Sequence, residues 1–171
     1  ALTRHIRLGT AVVVLPWHNP ALIAEQAATV DVLSGGRLDL GVGRGYQYPE
    51  FHGFQIPIEE AGERADEAIE IIRKAWNSKV RFSHHGRFWH FEDILIEPRP
   101  LQLPHPPLWQ GAGSPSSIQR VARGGYRLFL DQIASFDLTA ERITIYREAQ
   151  AAAGLKQDAE DIAVTRALLL A

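Results

Sequence analysis

The chain has 171 residues, of which 46% are hydrophobic and 22% charged, as is typical of a globular protein with a substantial core. Its 18 Lys and Arg are spread along the sequence and balanced by 20 Asp and Glu, giving a formal net charge of -2, which excludes the basic stripe that nucleic-acid binding requires. The absence of cysteine excludes a disulfide framework, a thiolate metal site and a cysteine nucleophile.

The first part of the sequence predicts two strands and two helices. A nearly continuous β-branched run is typical of a strand covered on both faces, and Asn19 followed by Pro20 is a helix start signal. Further along, apolar residues at helical spacing, from Ala65 to Trp76, lie opposite a charged face. The predicted strands are 6–16 and 37–43, and the predicted helices are 19–35 and 59–76.

The second part predicts a hairpin, a connector and further strands and helices. Alternation around Gly86 predicts the hairpin over 80–91. Five prolines between Pro98 and Pro107 predict an extended connector, since proline sustains neither a helix nor a central strand. Strands are then predicted over 108–113, 126–131 and 161–171, and helices over 114–125 and 138–153.

Strands that alternate with helices predict an α/β fold with parallel strands. We expect one domain over residues 1–171, with the hairpin and the proline-rich segment as an insertion at about 78–106. Five strands suit either an open doubly wound sheet or part of an eight-stranded barrel, and composition does not choose between them.

Three glycines surround one arginine at the end of the second predicted strand, in the stretch LDLGVGRGY. The spacing G-x-G-x-G, followed by Pro49, matches neither the dinucleotide fingerprint nor a Walker loop. The pattern predicts a sharp turn that projects Arg44, whose guanidinium suits a phosphate. The alternative is a surface ion pair between Arg44 and Glu50 or Asp39.

A second glycine-rich strand end is found in the stretch GAGSPSS. It places Gly113 and the hydroxyls of Ser114 and Ser117 at the start of a helix, where free N–H groups and the helix dipole favour an anion. The alternative for Ser114 is simple N-capping, which is compatible with anion binding. Ser117 is less needed for capping.

These same stretches, together with EFHGFQIPIEEAGERADEAIEIIRKAW, resemble the bacterial luciferase-like flavin-dependent monooxygenases from about Ile6 to Tyr126. The resemblance implies a (β/α)8 TIM-type barrel, present here as a partial barrel from about the third to the seventh strand. It also implies that reduced FMN and O2 oxygenate a small organic substrate, with the flavin supplied by a separate reductase.

The resemblance also implies roles for individual residues. Arg44 matches a contact to the FMN phosphate, and Ser114 and Ser117, with the backbone around Gly113, complete that site. Ala11 and Val12 match a pair joined by a cis peptide bond beneath the flavin ring. We assign no catalytic residue, because no general base is identified in this chain.

Alternatives remain open for the function and for some side chains. The function alternatives are a deazaflavin-dependent hydride-transferring oxidoreductase on the same barrel and a non-catalytic flavin-binding barrel. Trp17 and Tyr46 are expected either to line the ligand site or to pack in the core. The histidines of the hairpin lack the spacing and carboxylate partners of a metal site, so we predict no metal.

The ends of the chain and its location carry further expectations. No uninterrupted apolar window approaches 18 residues and no signal-peptide layout is present, so we expect no membrane partner and a cytoplasmic location. The chain contains no methionine and begins almost directly with a strand. We expect either that it is cut from a longer protein or that it forms a homo-oligomer through exposed strand edges.

Overall fold

The structure is a computed structural model that describes residues 3–166. Contacts divide the chain into two compact units, one up to Pro106 and one from Pro107 onward. Both units contain parallel strands and helices, in agreement with the alternating pattern of the sequence. The prediction of one domain with an insertion at about 78–106 stays a prediction.

The first unit contains a small parallel sheet, three α-helices and a separate hairpin within residues 3–106. Both helices predicted there are present, and so is the hairpin, which pairs antiparallel. Its elements are β1 (Leu8–Gly9), β2 (Val13–Val14), α1 (Pro20–Ser34), β3 (Leu38–Gly43), α2 (Tyr48–Gly53), α3 (Ala61–Asn77), β4 (Phe82–His85) and β5 (His90–Ile94).

Within residues 107–166, the second unit contains three parallel strands in sequential order, with two α-helices between them. Its core packs Ile118 and Val121 against Leu128, Leu130 and Tyr146, all of which are buried. Its elements are β6 (Leu108–Gly111), α4 (Pro115–Arg123), β7 (Arg127–Leu130), α5 (Phe136–Ala152) and β8 (Ile162–Val164). The last predicted strand extends over 161–171, and residues 167–171 of it lie outside the described residues.

The first predicted strand is not continuous, so the prediction of one strand over 6–16 is wrong. β1 and β2 both pair with β3 in parallel, but four steps from Gly9 to Val13 match three steps from Asp39 to Val42. The first strand therefore carries one extra residue between β1 and β2, as in a β-bulge. It is also half exposed rather than covered on both faces, since Leu8 is 37% exposed.

The helices begin where the sequence supplies caps. The side chain of Asn19 accepts hydrogen bonds from the backbone N–H groups of Ala21 and Leu22, and Gly35 ends α1 in the left-handed conformation. Ser135 caps α5 in the same way through the N–H of Leu138. Among residues 3–166, no helix is long and apolar enough to cross a membrane.

Helix α3 and the connector after the hairpin are both fastened to α1. The predicted apolar stripe of α3 is buried, and the indole N–H of Trp76 donates to the carbonyl of Ala24 at 2.9 Å. The fully buried carboxylate of Asp31 accepts the backbone N–H groups of Leu101 and Gln102 at 2.8 and 2.9 Å. These bonds satisfy a buried charge and hold the proline-rich connector on the first unit.

Candidate functional site

Arg44 extends from the carboxyl end of β3 as an exposed side chain. Within residues 3–166 it makes no hydrogen bond, ion pair or ring contact. Neither ion pair weighed as its alternative, with Glu50 or with Asp39, is formed among the described residues, and Asp39 binds Nε of Arg7 at 2.5 Å. The guanidinium of Arg44 is therefore available to an anion from solution.

Two glycines near Arg44 have a structural reason: one lies too close to the first strand for a side chain, and the other adopts a positive φ in the turn. A β carbon built on Gly41 would lie 1.9 Å from the carbonyl oxygen of Thr10, so no side chain fits there. Gly45 has φ +75°, a conformation that residues with side chains rarely adopt. The glycines thus let the first strand lie directly on β3 and let the chain turn after Arg44.

The segment between β1 and β2 lies against the same end of β3. The hydroxyl of Thr10 donates to the carbonyl of Gly41 at 2.8 Å, and Cγ2 of Val12 lies 2.8 Å from a β carbon built on Gly43. The predicted cis peptide bond between Ala11 and Val12 is present, and both residues are exposed. The first unit therefore brings the exposed pair 11–12 beside the residue that precedes Arg44.

In the second unit, the turn from β6 into α4 gathers three of the predicted site residues. Ser114 caps α4 by accepting the N–H of Ser117 at 3.4 Å, and the hydroxyl of Ser117 accepts the N–H of Ser114 at 3.2 Å. This is a reciprocal capping box, so the expectation that Ser117 is less needed for capping is wrong. Ser114 is exposed and Ser117 is half-buried, so the hydroxyl of Ser114 is the more open of the two to a ligand.

A partly exposed ion pair that the sequence did not point to lies behind this turn. Nη1 of Arg142, on α5, donates to Oδ2 of Asp131 at 3.0 Å, and its side chain is only 14% exposed. The backbone N–H groups of Ile133 and Ala134 also donate to Asp131. Hydrogen bonds from Ile133, then from Ala134 and Arg142, lower the pKa of Asp131 despite the opposing effect of burial.

The two aromatic candidates have different surroundings. Trp17 stacks on Phe54 with ring centroids 5.0 Å apart and meets Phe51 edge-on at 4.9 Å, so it packs within an aromatic cluster. Tyr46 is 80% exposed and follows Arg44 by two residues. Of the two side chains, only Tyr46 is largely open to a ligand.

Two of the three histidines of the hairpin, His84 and His85, have carboxylate partners. Nε2 of His84 lies 3.1 Å from the carboxylate of Glu67, and His85 pairs with Glu92 at 3.5 Å. No group of three or more His, Cys, Asp or Glu that could hold a metal ion is found in the part of the chain that the structure describes.

Comparison with known proteins places these features in a family. The family model for luciferase-like monooxygenases matches residues 1–171. The chain belongs to the luciferase-like monooxygenase family. The resemblance and the fold class, α/β with a partial TIM-type barrel, are thereby confirmed.

Two relatives in the family carry names that describe a reaction. The oxygenase component of flavin-dependent trigonelline monooxygenase from Acinetobacter baylyi is 35% identical, over 82% of this chain and 39% of that protein. The FMNH2-dependent dimethylsulfone monooxygenase from Pseudomonas putida is 36% identical, over 72% of this chain and 34% of that protein.

A solved family structure, the monooxygenase RslO1 from Streptomyces bottropensis, superposes on 95% of this chain with a TM-score of 0.87 at 34% identity. The match covers 50% of that protein. The chain therefore spans half or less of the length of each of these relatives.

Proposed function

We propose that the protein containing this chain is the oxygenase of an FMN-dependent monooxygenase, using reduced FMN and O2 to oxygenate a small organic substrate. The observation that carries the proposal is the exposed Arg44, which has no partner within residues 3–166 and lies at the carboxyl end of a parallel strand. The names of the two relatives, one flavin-dependent and one FMNH2-dependent, support the cofactor class.

Each of the two units presents residue types that suit FMN. Arg44 supplies a fork of donors suited to phosphate oxygens, and Ser114 and Ser117, with the backbone at Gly113, supply hydroxyl and N–H donors at a helix start. The exposed pair 11–12 is assigned to the surface beneath the flavin ring. These roles rest on the matched motifs within each unit.

Reduced FMN, when bound, supplies the electrons that activate O2 for transfer of one oxygen atom to the substrate. This chain contributes binding and orientation: Arg44 neutralises charge on the phosphate and fixes one end of the cofactor. Because a relative is named as an oxygenase component, we further propose that a flavin reductase supplies the reduced cofactor.

The test compares cofactors on the full-length protein under anaerobic conditions, followed by admission of O2. We expect reduced FMN to bind more tightly than reduced riboflavin, and O2 consumption to rise when a substrate is added from a panel of small organic molecules. Tighter binding of a deazaflavin, with hydride transfer and no O2 uptake, would contradict the proposal in favour of the oxidoreductase alternative. Tight FMN binding without substrate-dependent turnover across the panel would favour a non-catalytic flavin-binding barrel.

A further inference from the structure

The arginine behind the turn from β6 into α4 has an unusual set of contacts. One N–H donor of Arg142 is engaged by Asp131, while its Nε is buried and has no hydrogen-bond partner in the described chain. Nη2 lies 3.2 Å, and Cζ 3.7 Å, from a β carbon built on Gly113. The guanidinium therefore lies in the space that a side chain at position 113 would occupy, beside the predicted phosphate-binding turn.

This arrangement is costly if its only purpose is structural. A buried N–H without an acceptor loses its hydration and gains nothing in return, whereas a methionine or leucine could fill the same space without that loss. A surface ion pair also contributes little to stability by itself, and Asp131 is 44% exposed on its side chain. The feature that an apolar residue could not reproduce is a positive charge fixed behind Gly113.

We propose that Arg142 is a positioning residue for the phosphate of the cofactor: it braces the backbone at Gly113 and adds positive potential to the turn without touching the ligand. This inference rests on the proposed function. Asp131 has the complementary task of holding the guanidinium in place, and the N–H groups of Ile133 and Ala134 hold Asp131 in turn. The absence of a side chain at Gly113 lets the charge approach the turn.

Two variants break the same ion pair but change the local charge in opposite directions. Arg142→Gln removes the positive charge. Asp131→Asn removes the negative charge and leaves one oxygen, which can accept either from Arg142 or from the N–H groups of Ile133 and Ala134 but not from both sides. If the pair only braces the fold, the two variants should act alike. If Arg142 provides potential for the phosphate, the selective loss of FMN affinity should be larger in Arg142→Gln than in Asp131→Asn.

The experiment titrates reduced FMN and reduced riboflavin against the full-length protein and its variants, with thermal unfolding as a check of the fold. We expect Arg142→Gln to weaken FMN binding by about 5- to 20-fold and riboflavin binding by less than about 2-fold, since riboflavin lacks the phosphate. Arg142→Lys should recover part of the loss, because it keeps the charge without the fork. Asp131→Asn should weaken FMN binding less than Arg142→Gln does, because it loosens the guanidinium but keeps its positive charge.

The matched control is Arg147→Gln, an exposed arginine on the same helix, which should change neither ligand's affinity. An unchanged ratio of FMN to riboflavin affinity in Arg142→Gln would overturn the inference, as would equal losses of both ligands in Arg142→Gln and Asp131→Asn. A wild-type protein that binds FMN no better than riboflavin would instead refute the phosphate site itself, and with it the proposed function.

Discussion

Arg44 is an exposed cation whose position is fixed by its neighbours rather than by a partner for its charge. Gly41 lets Thr10 lie against β3, and Gly45 turns the chain directly afterwards, so the side chain leaves the strand at a defined point. Because the backbone at Arg44 is already fixed, it loses little conformational entropy when the side chain binds an anion. This is the arrangement that recognition of a phosphate requires.

Replacement of Arg44 by alanine should weaken FMN binding by about 10- to 150-fold, because a hydrogen bond to a charged group contributes roughly 1.5 to 3 kcal/mol. Arg44→Lys should restore only part of the affinity, since a point charge replaces a bidentate fork. Riboflavin should bind almost equally to all three proteins. Fluorescence quenching during titration of each flavin measures these affinities.

The matched control for Arg44 is Arg99→Ala, which removes another exposed arginine of the first unit and should leave both affinities unchanged. Equal losses of FMN and riboflavin in Arg44→Ala would mean that Arg44 supports the fold or the flavin ring. Unchanged affinity for both flavins would mean that Arg44 is an ordinary surface residue with no role in binding.

Local sequence spacing predicted some residues of the candidate site and missed others. Arg44 and Ser114 stand beside glycines at strand ends, a pattern that is visible in the sequence. Arg142 lies 29 positions after Gly113 on a helix, within an ordinary charged face. The position of Arg142 beside Gly113 depends on how α5 packs behind the turn, and no sequence motif links these two residues.

One carboxylate on α3 connects this helix to the hairpin through several hydrogen bonds. Glu67, 12% exposed, lies 3.1 Å from Nε2 of His84 and accepts the N–H groups of Phe88 and Trp89 at 3.1 and 3.0 Å. Burial by itself would raise the pKa of Glu67, but these hydrogen bonds outweigh it and lower the pKa below its ordinary value of 4.5. The ionised carboxylate is therefore the form that the folded hairpin favours.

This lowered pKa predicts how stability depends on pH. A carboxyl group whose pKa is lower in the folded protein stabilises it fully above the unfolded-state pKa, and that contribution is lost as the pH falls through the folded-state pKa. Glu67→Gln should lower the free energy of unfolding by about 1 to 3 kcal/mol at neutral pH. The difference from wild type should shrink in acid, and urea unfolding across the pH range measures it.

Glu70→Gln is the control for the hairpin tie, because Glu70 lies on the same helix and is exposed. It should have little effect at any pH. A loss in Glu67→Gln that stays constant from neutral pH into acid would contradict the role of the ionised carboxylate. Faster amide exchange at Phe88 and Trp89 in Glu67→Gln would locate the change in the hairpin.

The elements that the sequence predicted well are those with their own local signals. Helix α3 has its apolar stripe, and α1 and α4 have Asn19 and Ser114 as caps. The break between β1 and β2 was missed, because it depends on the hydrogen bond between Thr10 and Gly41 across the sheet. The six-residue helix α2 was also missed, since so short a segment presents no full apolar stripe.

At the scale of the whole molecule, the first unit presents an apolar surface beside the outer strand. Within residues 3–166, β1 pairs only with β3, which leaves its other edge without a strand partner. Between this sheet and α1 lies an open apolar cavity of about 220 Å³. Among its lining residues are Leu8, Val13, Ile23, Ala27, Val30 and Leu38.

An unpaired strand edge next to exposed apolar side chains favours association, so we predict that the isolated 171-residue chain self-associates through this surface. Val30 is 41% exposed in the cavity, and Val30→Lys should shift the chain toward monomer because a second copy would have to bury the ammonium. Val80→Lys makes the same replacement at a site that is 70% exposed and outside the cavity, and it should leave the association unchanged. Sedimentation velocity over a series of concentrations measures both effects.

A wild-type chain that remains monomeric and unfolds cooperatively would contradict the prediction. Equal dissociation by both lysine variants would mean that general charge, rather than this surface, controls the assembly.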